Sequence, residues 1–132
     1  MHGYRPDQLA RHYRLLGLEG EVSQASPHRL IQLLFEHLLV RLALAQTGFE
    51  HRQIAMRSEA ISRAIAILDA LRDSLAMEQG DLAHQLDSLY EYCSRRLLDA
   101  TQRQDPAPLS EVSALVQTLK SAWDGIAPGA KD

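Results

Sequence analysis

The chain has 132 residues, 45% of them apolar and only 5% aromatic, and a formal charge of −3 spread over 14 basic and 17 acidic residues. One domain with a single core suits that length, and the leucine-rich, aromatic-poor balance suits a helical bundle. Interspersed charge excludes the basic face of a nucleic-acid binder, and a lone Cys93 excludes an internal disulfide.

Residues 1–24 read as an N-terminal arm, with Leu9, Tyr13 and Leu16 at helical spacing before Gly17 and Gly20 interrupt it. This stretch is polar and broken by Pro6, unlike a signal peptide, and no apolar run approaches the ~20 residues of a bilayer span. A cytoplasmic protein with no membrane insertion is the expectation. Residues 25–127 read as four helices. Ser26 and Pro27 start the first, the serine as cap and the proline at a position that needs no N–H. It runs to Phe49 with Gly48 as the expected C-terminal glycine. Leu30, Ile31, Leu34, Phe35, Leu38 and Leu42 form one broad arc, and Leu33, Val40 and Leu44 form a second stripe beyond His37 and Arg41. A helix apolar on more than one side is either central to a bundle or faces another chain.

The second helix starts within residues 52–58 and runs to Met77, with Ile61, Ala64, Ile65, Leu68, Leu71 and Leu75 inward and Ala60 and Ile67 to one side. Gly80 stops it and Asp81 can cap the third, Leu82–Gln104, whose stripe is Leu82, Leu86, Leu89, Cys93, Leu97 and Ala100. Asp105 to Pro108 lead into a fourth helix, Leu109–Ile126, with Val112, Leu115, Val116, Leu119, Trp123 and Ile126 inward. Residues 128–132 read as a disordered tail. The expected fold is all-α, an antiparallel four-helix bundle with a short N-terminal arm or helix.

A di-metal bundle enzyme needs two Glu-x-x-His pairs on facing helices. The one acid-x-x-His match, Asp81 with His84, sits at a helix start off the core stripe and reads as a cap and a surface histidine. The six histidines show no ligand spacing, and His37 reads as partly buried and hydrogen-bonded. Cys93 falls on a core stripe, where a thiol is an inert hydrophobe. No catalytic residue, metal or cofactor is expected, and the protein is expected not to be an enzyme. What remains is apolar surface: Leu33, Val40, Leu44, Ile67, Tyr90 and Leu98 lie outside or at the edge of the best core stripes. Together they suggest a groove for an amphipathic segment, the alternatives being core packing, cover by the arm, or a homodimer.

Five blocks of residues carry a family resemblance. Val22-x-x-Ala25-Ser26-Pro27-x-x-Leu30-Ile31-x-x-Leu34-Phe35-Glu36 is similar to the opening of the flagellin export chaperones, the FliS family. Arg63 to Leu68, Leu86 to Tyr92, Arg95 to Leu98 and Ala122 to Asp124 keep the family's order and spacing over residues 13–127. The resemblance implies a bundle that clamps the disordered C-terminal segment of flagellin, prevents its premature polymerisation and delivers it to the flagellar type III export apparatus, with an export gate component as a further partner. It also implies an arm rearranged by the client, with Tyr13 at the arm tyrosine's place. The expected partner-binding residues are Tyr13, Leu16, Val22, Leu33, Val40, Leu44, Ile67, Tyr90 and Leu98. His37 stands where such proteins usually carry a small residue, so the alternative is a paralogue for another flagellar export substrate or regulator.

Overall fold

A computed structural model describes residues 3–18 and 25–126. Val22 and the tail 128–132, both named from sequence, lie outside those residues. Five α-helices form: α1 (Pro6–Leu15), α2 (Pro27–Glu50), α3 (Ile54–Asp73), α4 (Asp81–Arg103) and α5 (Ala107–Asp124). The last four close into a bundle in which α2 and α4 each pack between α3 and α5, and α1 lies on α2 and α3. Side-chain pairs show that neighbours run antiparallel. Gln32 near the start of α2 donates to Asp124 at the end of α5, and Gln46 near the end of α2 donates to Ser110 at the start of α5.

α2 begins as its sequence dictates. The Ser26 hydroxyl accepts from the Arg29 N–H at 3.1 Å, and Pro27 occupies the first position. Its broad arc is fully in the core, and Leu33 of the second stripe is buried as well. By length and composition alone α2 could cross a membrane, contrary to the expectation that no apolar run reaches that size. Here three other helices cover most of its apolar surface, Val40 and Leu44 excepted, which accounts for much of the composition.

Four local expectations change. Gly48 is not a terminal glycine but lies inside α2, where a Cβ would come within 2.8 Å of the Arg57 backbone nitrogen. Its absent side chain lets α3 cross α2 closely. The turn instead uses Arg52 in the left-handed region, φ 56°. α3 ends at Asp73, not Met77, because residues 74–76 pair with the arm. The Arg5 N–H donates to the Ser74 carbonyl at 2.7 Å, and the Ala76 N–H donates to the Gly3 carbonyl at 2.6 Å. Asp81 is the first residue of α4 and makes no capping hydrogen bond; Gly80, at φ 116°, precedes it. Leu82 is exposed, and Ala83 takes the inward place beside it.

On the α4–α5 face, Arg96 bonds Glu111 at 2.7 Å and Asp99 at 3.0 Å, and the Tyr92 hydroxyl donates to Glu111. The Tyr92 hydrogen bond, then that of Arg96, holds the Glu111 carboxyl below its ordinary value of 4.5. A carboxylate favoured in the folded state adds stability above its unfolded pKa and loses it as pH falls through the folded one. Stability curves should therefore fall less steeply below pH 4.5 in Glu111→Gln than in the parent; parallel acid limbs would refute the linkage. Gly48→Ala should cost about 1–3 kcal/mol by forcing α3 away from α2, read as a lower urea midpoint at unchanged slope.

Candidate partner-binding surface

The arm contributes three apolar anchors. Tyr4, Leu9 and Tyr13 are almost completely buried, although Leu9 and Tyr13 belong to a helix of only ten residues. Each burial takes a large, mostly apolar side chain out of water. The polar contacts add less. His12 Nε2 meets Asp73 at 2.6 Å and Arg5 meets Glu78 at 2.6 Å, but the carboxylates are well exposed. Exposed pairs of this kind contribute only about 0–1 kcal/mol. The arm is thus held mainly by where its rings go.

Tyr4 goes deepest. Its backbone bridges Leu75, its ring meets Trp123 edge-on at 5.8 Å, and its hydroxyl shares a hydrogen bond with that of Tyr90. Burial drives both phenol pKa values up, so both hydroxyls stay neutral and can form that bond. Around this seat His28 stacks on Trp123 at 5.1 Å, and Trp123 Nε1 donates to the His28 carbonyl at 3.0 Å. The α2 start and the α5 end are clamped together there. Sequence reasoning missed Tyr4 and His28. Tyr4 precedes the proline and belongs to no periodic pattern, so no local signal marks it.

The expected partner-binding residues divide into two groups. Tyr13, Leu33, Ile67 and Tyr90 are buried, and Leu16 is half-buried. Leu16 and Ile67 come together in a small crevice with Leu18, Arg41 and Arg63. Tyr90 lies under Tyr4, and Tyr13 meets the half-buried His37 ring edge-on at 6.2 Å. Ile67 and Tyr90 thus both have arm residues as neighbours. The second group remains accessible: Val40 is 55% exposed, Leu44 37% and Leu98 46%. Val40 and Leu44 are one turn apart on α2, beside and beyond the Arg41 crevice, whereas Leu98 stands apart on α4.

Cys93 is fully buried, and desolvation pushes its thiol up to about 11, which leaves little thiolate for attack at neutral pH. Among the described residues no group of three His, Cys, Asp or Glu side chains could hold a metal. Asp81 and His84 both face outward.

Comparison with known proteins finds matches over most of the chain. The family model described as flagellar protein FliS matches residues 9–130. The flagellar secretion chaperone FliSB of Pseudomonas aeruginosa is 46% identical over 117 residues, covering 88% of this chain and 93% of that protein. The flagellar secretion chaperone FliS of Salmonella typhimurium is 38% identical over 120 residues, covering 89% of both chains. That of Vibrio cholerae is 32% identical over 117 residues, covering 88% of this chain and 86% of the relative.

Removing one hydroxyl of the tyrosine pair strands the other in an apolar site. Tyr4→Phe and Tyr90→Phe should each cost about 1–3 kcal/mol, while the double variant should cost no more than either alone. Urea unfolding of all four proteins tests this, and additive losses would remove the pair from the latch.

Proposed function

The chain belongs to the FliS family of flagellar proteins, and from that membership we propose that it is a cytoplasmic export chaperone for flagellin. It binds the disordered C-terminal segment of flagellin, keeps that segment from polymerising, and passes it to the flagellar type III apparatus, where an export gate component receives the complex. The observation that carries this reading is the docked arm. Tyr4 of the arm lies on Tyr90, and Leu16 and Leu18 share a crevice with Ile67, in the manner expected of a placeholder for a longer apolar ligand.

The client's first contacts are Val40 and Leu44, already open on α2, with Leu98 on α4 met later along the wrapped path. Its apolar side chains then replace Leu9, Tyr13 and Leu16 on the α2–α3 seam, and Leu33 and Ile67 become accessible. Ordering a disordered segment costs about 2–5 kcal/mol. At about 25 cal/mol per Å² of apolar burial, a long wrapped contact offsets that cost better than a compact one. The arm covers this surface until a client arrives, and its displacement lowers the apparent affinity by the fraction of molecules with the arm open. The work is binding throughout, so the protein is read as a non-enzyme.

One observation favours a second reading. The His37 ring fills space against Tyr13, at a position where a small residue is usual in similar proteins, so the seam is shaped differently under the arm. A different flagellar export substrate or regulator is the client on that reading. Titration calorimetry with the last ~50 residues of the host's flagellin, a length suited to a wrapping ligand, separates the two. The flagellin reading expects saturable 1:1 binding that tightens in Tyr4→Ala, whose arm is unlatched. Equal affinity of parent and Tyr4→Ala removes the arm from the mechanism; no binding to either favours the other client.

A further inference from the structure

Just beyond α3 the chain carries a helical sequence in a non-helical place. Ser74-Leu75-Ala76-Met77-Glu78 follows the helix directly, and Leu, Ala, Met and Glu are among the strongest helix formers. Leu75 stands four residues after Leu71 and seven after Leu68, so the inward stripe of α3 runs on through it. Yet α3 stops at Asp73, and a single 3₁₀ turn, Met77–Gln79, follows before Gly80.

The cause of that stop is not local, since no proline or glycine interrupts residues 74–79. What holds this backbone out of the helix is the arm. The Arg5 N–H donates to the Ser74 carbonyl, the Ala76 N–H donates to the Gly3 carbonyl, and Tyr4 bridges Leu75. The helix has substitutes ready for these bonds. Were it to continue, the Leu75, Ala76 and Met77 N–H groups would meet the carbonyls of Leu71, Arg72 and Asp73, and Leu75 would keep its inward place. The docked arrangement also carries a cost, because the Ser74 hydroxyl is fully buried and has no partner. Extension to Met77 leaves Glu78, Gln79 and Gly80 to reach α4 at Asp81, a connection of ordinary length between helices.

We infer that residues 74–77 are a two-state segment, paired with the arm while it is docked and the last turn of α3 once it is released. The exchange makes release self-holding. While the Ala76 N–H is bonded inside α3 it is not offered to Gly3, so a returning arm must first unwind that turn. The switch belongs to this chain alone and stands whichever client takes the uncovered surface.

Backbone Cα chemical shifts of the full chain, without client, test this. In the parent, Leu75 and Ala76 should show non-helical values. In Tyr4→Ala, whose arm is unlatched, the shifts of residues 75–77 should move to helical values continuous with those of Asp73. A pair of variants at Met77 separates the switch from loss of a side chain. Met77→Pro fits the docked state, because it opens the 3₁₀ turn and the preceding Ala76, at φ −91° and ψ 83°, already lies outside the α region. It cannot join α3, where proline loses the bond to Asp73 and clashes with the preceding turn. With the released state disfavoured, amide exchange of Leu9 and Tyr13 in α1 should be roughly threefold slower in Met77→Pro than in Met77→Ala. Non-helical shifts at residues 75–77 in a folded Tyr4→Ala overturn the proposal, and so does equal α1 exchange in the two Met77 variants. Should Tyr4→Ala fail to fold, the Met77 pair decides alone.

Discussion

Everything in this fold follows from α2 having more apolar surface than one neighbour can cover. Its arc of Leu30, Ile31, Leu34, Phe35, Leu38 and Leu42 is entirely inside, and Leu33 is buried as well. A helix of this kind is stable only when surrounded, so α3 and α5 flank it and the arm closes over α2 and α3. The arm is the least secure of these covers. It is short, it is separated from α2 by a glycine-containing stretch, and its charged contacts are wet. On the proposed reading, this is the cover that the client displaces.

Much of this was legible in the sequence, for reasons specific to each element. Ser26 and Pro27 mark the α2 start because a cap and a ring-locked φ are local chemistry. The core stripes of α2, α3 and α5 repeat over many turns, so periodicity places them securely. The α3 end was not legible. Leu75 continues the stripe of Leu68 and Leu71, and only the distant pairing of residues 74–76 with residues 3–5 ends the helix at Asp73. Gly48 misled for a related reason: near a helix end, a glycine needed for close packing looks the same as one needed for positive φ. Tyr4 was invisible, since its role depends on Tyr90 and Trp123, which are 86 and 119 positions away.

The two ends of the bundle have opposite characters. At the arm end aromatic rings interlock, backbone strands bridge and hydroxyls pair in a dry site. At the other end the two turns are open, each carries one residue at positive φ, and their two arginines are balanced by Glu50 and Asp105. A single long apolar client does not need both.

The crossing at Gly48 has a mechanical consequence. Because Arg57 sits against the α2 backbone there, the two helices are pinned close to the turn that joins them. Asp73 lies 16 residues further along α3, a lever of about 24 Å at 1.5 Å per residue. Tilting α3 by only ~5° about that fulcrum moves its far end by about 2 Å, the scale of a side chain entering or leaving the seam. The α2–α3 pair is built like tongs, with its hinge at the turn and its jaws at the arm.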